Sequence, residues 1–281
     1  MKELIKSPLN FSGNKFKLLP QLLPLFPKDI STFVDVFGGS FTVGQNIECE
    51  NIIYNELDSR IFNLVKYIST CDYNEEKKIL DKLIEQYQLG KNTKEEYIKL
   101  RTDYNTTQDT RLLFLLSCFS FNYQIRFNSK GEFNMPCGNR GFSKNMDEWF
   151  RKSNELCEGK VIKFMNNNFN ELIYTNKDNG LFFYNDPPYL QTIATYTENG
   201  AWNLDKEYEM YKFLDDLNEK GIKFGLSNTM WYHNEENLVL KEWSKKYKVV
   251  ELDFNYTNNN RHKKDNDEKT VEVYICNYWL I

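Results

Sequence analysis

The amino-acid sequence predicts an α/β fold: a doubly wound, mixed sheet with helices on both faces and an inserted helical and β-hairpin subdomain. Three observations carry that expectation. Short apolar runs alternate with helical segments along most of the chain. The run Leu181-Phe182-Phe183-Tyr184 is apolar or aromatic throughout, as a buried strand must be, and it stops at Asn185-Asp186-Pro187-Pro188-Tyr189. Thr32-Phe33-Val34-Asp35-Val36 leads into the glycine turn Phe37-Gly38-Gly39-Ser40 and then a helix. Residues 1–70 and 160–281 supply the sheet, and residues 71–159 supply the insertion.

Taken in order, Leu18, Leu19, Leu22, Leu23 and Phe26 recur at helical spacing after Ser12-Gly13-Asn14-Lys15. Ser12 or Asn14 can cap that helix, Lys15 places a charge at its amino end, and Pro24 and Pro27 close it. The second strand, Asn51–Tyr54, ends at Asn55-Glu56-Leu57-Asp58. An acid there, about twenty residues past a glycine turn, suits ribose hydroxyls. Asp35 and Glu56 equally suit the plainer task of capping the helices that follow. Four helices are expected over 61–67, 77–87, 94–104 and 111–121, the middle ones charged on one face and therefore solvated. Ser129-Lys130-Gly131 reads as a hairpin turn between short strands. Strands follow at 161–165, 181–184 and 222–226, with helices at about 205–220 and 231–245. Residues 247–254 and 271–279 read as an antiparallel pair. Tyr196–Gly200 and Asn258–Lys264 read as polar loops.

Composition narrows the chemistry. The chain carries 36 Lys and Arg against 40 Asp and Glu, a net charge of −4, so a nucleic-acid footprint has to be local. Residues 111–165 meet that condition, with nine basic and five acidic side chains. Six cysteines show no CxxC spacing and the two histidines are far apart, which argues for reduced thiols in a cytoplasmic protein and against a metal site. No run approaches the length of a membrane span.

Asp186-Pro187-Pro188-Tyr189 fits one chemistry well, methylation of an amino group conjugated to a ring. Such a nitrogen is a poor nucleophile until acceptors hold its hydrogens in a pyramidal arrangement. The Asp186 carboxylate offers one acceptor, the Pro187 carbonyl another kept aimed by Pro188, and Tyr189 a ring on which a base can stack. No proton has to leave before attack, so the scarcity of histidine is no obstacle.

The order of these blocks resembles the Dam-like DNA adenine-N6 methyltransferases, the D12 or α class, over nearly the whole chain. The resemblance implies a Rossmann-like methyltransferase sheet that binds S-adenosylmethionine. It also implies transfer of a methyl group to an adenine flipped from duplex DNA. Phe11-Ser12-Gly13-Asn14-Lys15 stands at the amino-terminal cofactor motif, with Phe11 where a Trp is usual and Lys15 near the methionine part. Asp35, Phe37, Gly38, Gly39 and Ser40 fall in the motif that cradles the amino-acid portion. Glu56 takes the ribose role, Asn168 and Phe169 the adenine, and Asp186 touches cofactor and substrate alike. Asn122, Tyr123, Gln124, Arg126, Asn128, Asn134 and Arg140 fall on the DNA-recognition hairpin, and Leu226-Ser227-Asn228 on a motif behind the active site. Three departures stand out. Asn10 replaces a lysine, Asn168 replaces an aspartate, and Tyr123-Gln124 replace Gly-Leu, which bears on the bases read. The implied partners are double-stranded DNA and, for a restriction-modification member, a cognate endonuclease, with the chain a monomer or weak dimer. Cytosine-N4 or RNA amino-methylation, and an inactive DNA-binding relative, are the competing readings.

Overall fold

The computed structural model of the chain describes residues 3–10, 13–91, 93–172, 180–191, 202–253 and 269–279. The amino-terminal helix is broken into three short pieces over Lys15–Leu25, the middle one being α1 (Leu19–Leu22). Pro20 and Pro24 sit at the start of successive pieces and prevent one continuous ladder. Asn14 caps the first piece by accepting from the Phe16 N–H at 2.8 Å. The segment then delivers Phe26 into a ring cluster with Phe33, Phe182, Tyr184 and Tyr274, at centroid separations of 5.1–6.0 Å.

β1 (Thr32–Asp35), α2 (Thr42–Asn46) and β2 (Asn51–Asn55) come next, followed by four helices: α3 (Ser59–Thr70), α4 (Tyr73–Gln86), α5 (Lys94–Thr107) and α6 (Thr110–Phe119). α7 (Lys144–Cys157) precedes β3 (Val161–Met165). Then come β4 (Leu181–Asn185), α8 (Leu204–Glu219), β5 (Lys223–Tyr232), β6 (Glu235–Glu236), α9 (Leu238–Ser244), β7 (Lys248–Leu252) and β8 (Val271–Cys276). The sheet order is β3-β2-β1-β4-β5-β8-β7, with β6 paired to β5. β3 to β5 run parallel, while β8 is antiparallel to both β5 and β7. The predicted doubly wound, mixed sheet is therefore the observed one. Its winding reverses between β1 and β4, the point at which such sheets open a crevice at their carboxyl edge.

Period two sorts the strands between two cores. Phe33, Ile52, Tyr54, Phe182 and Tyr184 face the cluster shared with α3, α5, α6 and α7, whereas Val34, Phe183, Phe224 and Leu226 face α8 and α9. α6 buries every residue from Leu112 to Phe119 and is the hub of the first cluster.

Three local expectations are corrected. Residues 231–245 do not form one helix: β5 runs on to Tyr232, turns at His233 and Asn234 in left-handed conformations, and pairs with β6 before α9 begins. The β-prone start of that stretch, Trp231-Tyr232, extends the strand that pairs with β8 and β6, and this pairing outweighs its helical spacing. The strands expected around Ser129–Gly131 are reduced to an isolated Phe127–Phe133 bridge. α7 was not foreseen, although Ser143 caps it and Met146, Phe150 and Cys157 mark its buried stripe. Phe11, Tyr196–Gly200 and Asn258–Lys264 lie outside the described residues.

Candidate active site

At the switch point the carboxyl ends of β1 and β4 lie side by side: Asp35 pairs in register with Tyr184, and the Val36 N–H donates to the Tyr184 carbonyl at 3.0 Å. Two residues past Phe33, Tyr54 and Tyr184 come Asp35, Glu56 and Asp186, so all three acids continue the parity of the same sheet face. Glu272, two residues before Tyr274 on antiparallel β8, brings a fourth acid to that edge. A carboxylate on the buried parity of an apolar strand was the available signal for Glu272, and the sequence reading missed it.

The β1–α2 turn is held from beneath. A Cβ on Gly38 would come within 2.3 Å of the Tyr54 ring, so only glycine lets the turn pack there. The Tyr54 hydroxyl donates to the Gly39 carbonyl at 2.8 Å, and Glu56 accepts from the Gly39 and Asp58 N–H groups at 3.0 and 2.8 Å. Asp35 accepts from the Gly44 N–H at 3.3 Å inside α2. Neither acid is the cap of the helix that follows, since α3 is capped by Asp58 and α2 starts at Phe41 without a side-chain cap. Both instead restrain turn or first-turn backbone while facing the cavity. The Asn55 amide ties this turn to the next, donating to the Val36 and Asn167 carbonyls at 2.9 and 3.1 Å.

Asp186 and Lys15 form a buried ion pair at 2.9 Å. Lys15 also donates to the Gly13 carbonyl at 3.0 Å and lies 4.9 Å from the centroid of the Tyr189 ring. The Tyr189 hydroxyl lies within hydrogen-bond distance of two carboxylate oxygens that compete for its one proton, Asp186 Oδ1 at 3.2 Å and Glu272 Oε2 at 3.0 Å. Burial works against the Lys15 charge, but Asp186 and Glu272 outweigh it and hold the ammonium above its ordinary value. Burial raises Asp186, and Lys15 offsets part of that rise. Asp35 is pushed up to about 8, first by burial and then by Asp186. Glu56 is pushed up to about 7 by burial, partly offset by the N–H groups it accepts from. A positive ligand would return these acids to their ionised forms.

These elements enclose a cavity of about 770 Å³, within the size range of cofactor sites. Lys15, Asp35, Phe37, Gly38, Gly39, Ser40, Glu56, Asn168, Phe169, Asp186 and Pro188 all line it. Pro187 and Tyr189 are buried and do not line it. Asn168 also caps the turn that starts at Phe169, exchanging bonds with Glu171. Three rings cluster at one end: Phe37 and Phe169 at 5.4 Å, with Trp202 5.6 and 6.0 Å from them. Trp202 was not foreseen. Its indole N–H donates to buried Glu207, which also accepts from the Tyr211 hydroxyl at 2.6 Å and the Asn228 amide at 3.3 Å. Asn228 and Ser227, whose hydroxyl meets that of Tyr184 at 2.8 Å, stand behind the site.

The predicted recognition residues Asn122, Tyr123, Gln124, Arg126, Asn128, Asn134 and Arg140 lie beyond the cavity, although Phe127, Lys130 and Gly131 from the same loop close its far side. Asn122 and Tyr123 are both left-handed, at φ of 53° and 60°. Asn10, bridged to Gln124, donates to the Asn122 carbonyl at 2.8 Å. Arg126 donates to Asn134 Oδ1 at 2.8 Å and its carbonyl at 3.2 Å, and Asn128 closes the turn by accepting from the Lys130 and Glu132 N–H groups. Arg140 lies over the Tyr123 ring. Burial, then the neighbouring charges of Lys17 and Arg140, lowers Lys6.

A parallel sheet with a glycine turn and an Asp-Pro-Pro-Tyr turn flanking one acid-lined cavity defines the Rossmann-like methyltransferase class. Within it, the chain belongs to the family of D12 class N6 adenine-specific DNA methyltransferases, whose family model matches residues 11–258. It is 38% identical to the modification methylase StsI of Streptococcus sanguinis over 99% of this chain and 43% of that protein. It is 36% identical to the type II methyltransferase M.FokI of Planomicrobium okeanokoites over 98% of this chain and 43% of that protein. The chain thus spans less than half the length of these two relatives. Against the DNA adenine methylase of Escherichia coli K12 it is 25% identical over 92% of both chains.

Proposed function

We propose that the chain transfers a methyl group from S-adenosylmethionine to the 6-amino nitrogen of an adenine flipped out of duplex DNA. The observation that carries this reading is the buried Lys15–Asp186 pair under the Asp-Pro-Pro-Tyr turn, set at the switch point beside the glycine turn. The donor set suits the cofactor: acids for a cation and for ribose hydroxyls, and three rings for an adenine. Lys15, Asp35, Phe37, Gly38, Gly39 and Ser40 would hold the amino-acid part, Glu56 the ribose, and Asn168 and Phe169 the adenine, with Phe11 nearby by family resemblance. When bound, S-adenosylmethionine supplies an electrophilic methyl group on a sulfonium leaving group.

The protein's own part is positioning and charge. Among the described residues both contacts to the Asp186 carboxylate use Oδ1, so Oδ2 can accept one hydrogen of the adenine amino group. The Pro187 carbonyl accepts the other, which frees the nitrogen lone pair for attack. Positive charge then develops on that nitrogen beside Asp186 and Glu272, and a proton passes to Asp186. Lys15 favours the ionised form of Asp186, against the effect of burial.

Residues 71–159 would act as the recognition subdomain, reading bases with Asn122, Tyr123, Gln124, Arg126 and Asn134. Asn128, Arg140, Lys6 and Lys17 would face phosphates. Three similar proteins carry type II or modification-methylase names, which supports a role in restriction-modification with a cognate endonuclease. Among the described residues no helix is long and apolar enough to cross a membrane, which agrees with a cytoplasmic place of action.

The test is modified-base sequencing of DNA from a methylation-free host expressing the chain. One sequence motif bearing N6-methyladenine is expected. N4-methylcytosine, or modification confined to RNA, would replace the reading, and unmodified nucleic acid would refute it.

A further inference from the structure

We infer that Arg60 is a positioning residue that couples occupancy of the cofactor cavity to the geometry of the recognition loop. This rests on the cavity taking S-adenosylmethionine, as proposed above. Arg60 lies in the first turn of α3, just past Asp58, the residue that caps it. Asp58 accepts from the Arg60 backbone N–H at 2.9 Å and grips the guanidinium by Nε at 2.8 Å and Nη2 at 2.5 Å. The remaining arm, Nη1, crosses to the recognition loop and donates to the Gly131 carbonyl at 3.0 Å. The guanidinium plane also lies 3.6 Å from the centroid of the Phe127 ring. A planar, always-charged fork can make all of these contacts at once, which an ammonium cannot.

The placement is what gives the contact meaning. Phe127, Lys130 and Gly131 form one wall of the cavity, and Gly39, Glu56 and Asp58 belong to the wall built by the sheet. Glu56 accepts from Gly39 and Asp58 N–H groups, so bonds run without a break from glycine turn through Glu56, Asp58 and Arg60 to Gly131. The loop has no extended ladder: the Phe127–Phe133 bridge, a few cross-turn backbone bonds such as Asn128 N–H to the Glu132 carbonyl at 2.9 Å, and side chains such as Asn105, which bonds both backbone groups of Phe133, hold it. Segments of that kind open at lower free energy than core strands. A ligand that tightens the Glu56–Asp58 turn therefore sets the loop through Arg60, and by reciprocity DNA held by the loop tightens the grip on the cofactor.

Hydrogen exchange read by mass spectrometry tests this with S-adenosylhomocysteine as the probe, on the full chain and its Arg60→Ala and Arg60→Lys variants. In the wild type, the probe should slow exchange in peptides covering 36–44 and 126–134, each by about tenfold or more. Both variants should keep the protection at 36–44 and lose it at 126–134, with peptides over 238–252 unchanged as the folding reference. Should Arg60→Ala fail to fold, Arg60→Lys carries the test, because it retains the charge and removes the fork. Protection confined to 36–44 in the wild type, or equal at 126–134 in wild type and variants, overturns the coupling while leaving the methyltransferase reading in place. A wild type that does not bind the probe at all overturns both.

Discussion

The cavity has two walls built by different means. The sheet wall hangs from parallel β1, β2 and β4, and its acids are placed by strand register and fastened by backbone donors. The loop wall, residues 121–143, shows isolated bridges, two consecutive left-handed residues and side chains clamped to backbone. A laddered wall preserves chemistry, because moving one acid means moving a core strand. A wall held by side chains can change its residues without disturbing the core.

Four experiments press on that contrast. The largest effect is expected from Asp186→Asn on the laddered wall: kcat should fall by about 10²–10³-fold or more while cofactor affinity changes little. Calorimetry with S-adenosylhomocysteine beside a turnover assay checks this, and near-normal turnover would remove Asp186 from the chemistry. Arg126→Ala, on the loop wall, should relax the preferred base at one position at a cost of about 1–3 kcal/mol in DNA binding. Cofactor affinity and melting temperature should stay close to wild type. A collapse of the fold instead would show that Arg126 serves Asn134 and the loop rather than a base.

Glu272→Gln should lower kcat by about tenfold and move the acid limb of the pH–rate profile downward. The sign follows from the removal of a negative neighbour that raises Asp186. Rate loss without that pH shift would leave Glu272 with packing alone. The smallest effect concerns stability. Asp35 keeps its proton up to about pH 8 when folded, whereas an ordinary carboxyl loses it near pH 4, so the folded chain binds more protons across that interval. The free energy of unfolding should therefore decline as pH rises from about 5 to 8. Asp35→Asn should flatten that slope in urea titrations, and an unchanged slope would assign the dependence to other groups.

Much of this architecture could be read along the chain because its signals are local. The all-apolar run Leu181–Tyr184 could only be a covered strand, and the glycine turn after β1 had one compact solution against Tyr54. The spacing of acids after strands placed Asp35, Glu56 and Asp186 at one edge. Local signals misled where two periods overlapped, as at Trp231–Tyr232, where pairing with β8 and β6 decided for strand over helix. They were silent on Trp202 and Arg60, whose partners are 33 and 71 residues away in the chain; for Glu272, strand parity marked a buried acid but not its partner, 83 residues away.

By itself, then, the sequence determined the doubly wound class of the sheet and the identity of the central acids, since strand period and turn chemistry act between neighbours. The tertiary structure alone decided that Glu272 shares the Tyr189 hydroxyl with Asp186, that Trp202 joins Phe37 and Phe169, and that Arg60 bridges the two walls. Those contacts depend on how separate elements close over one cavity, a geometry set by packing across the whole chain and encoded in no single stretch of it.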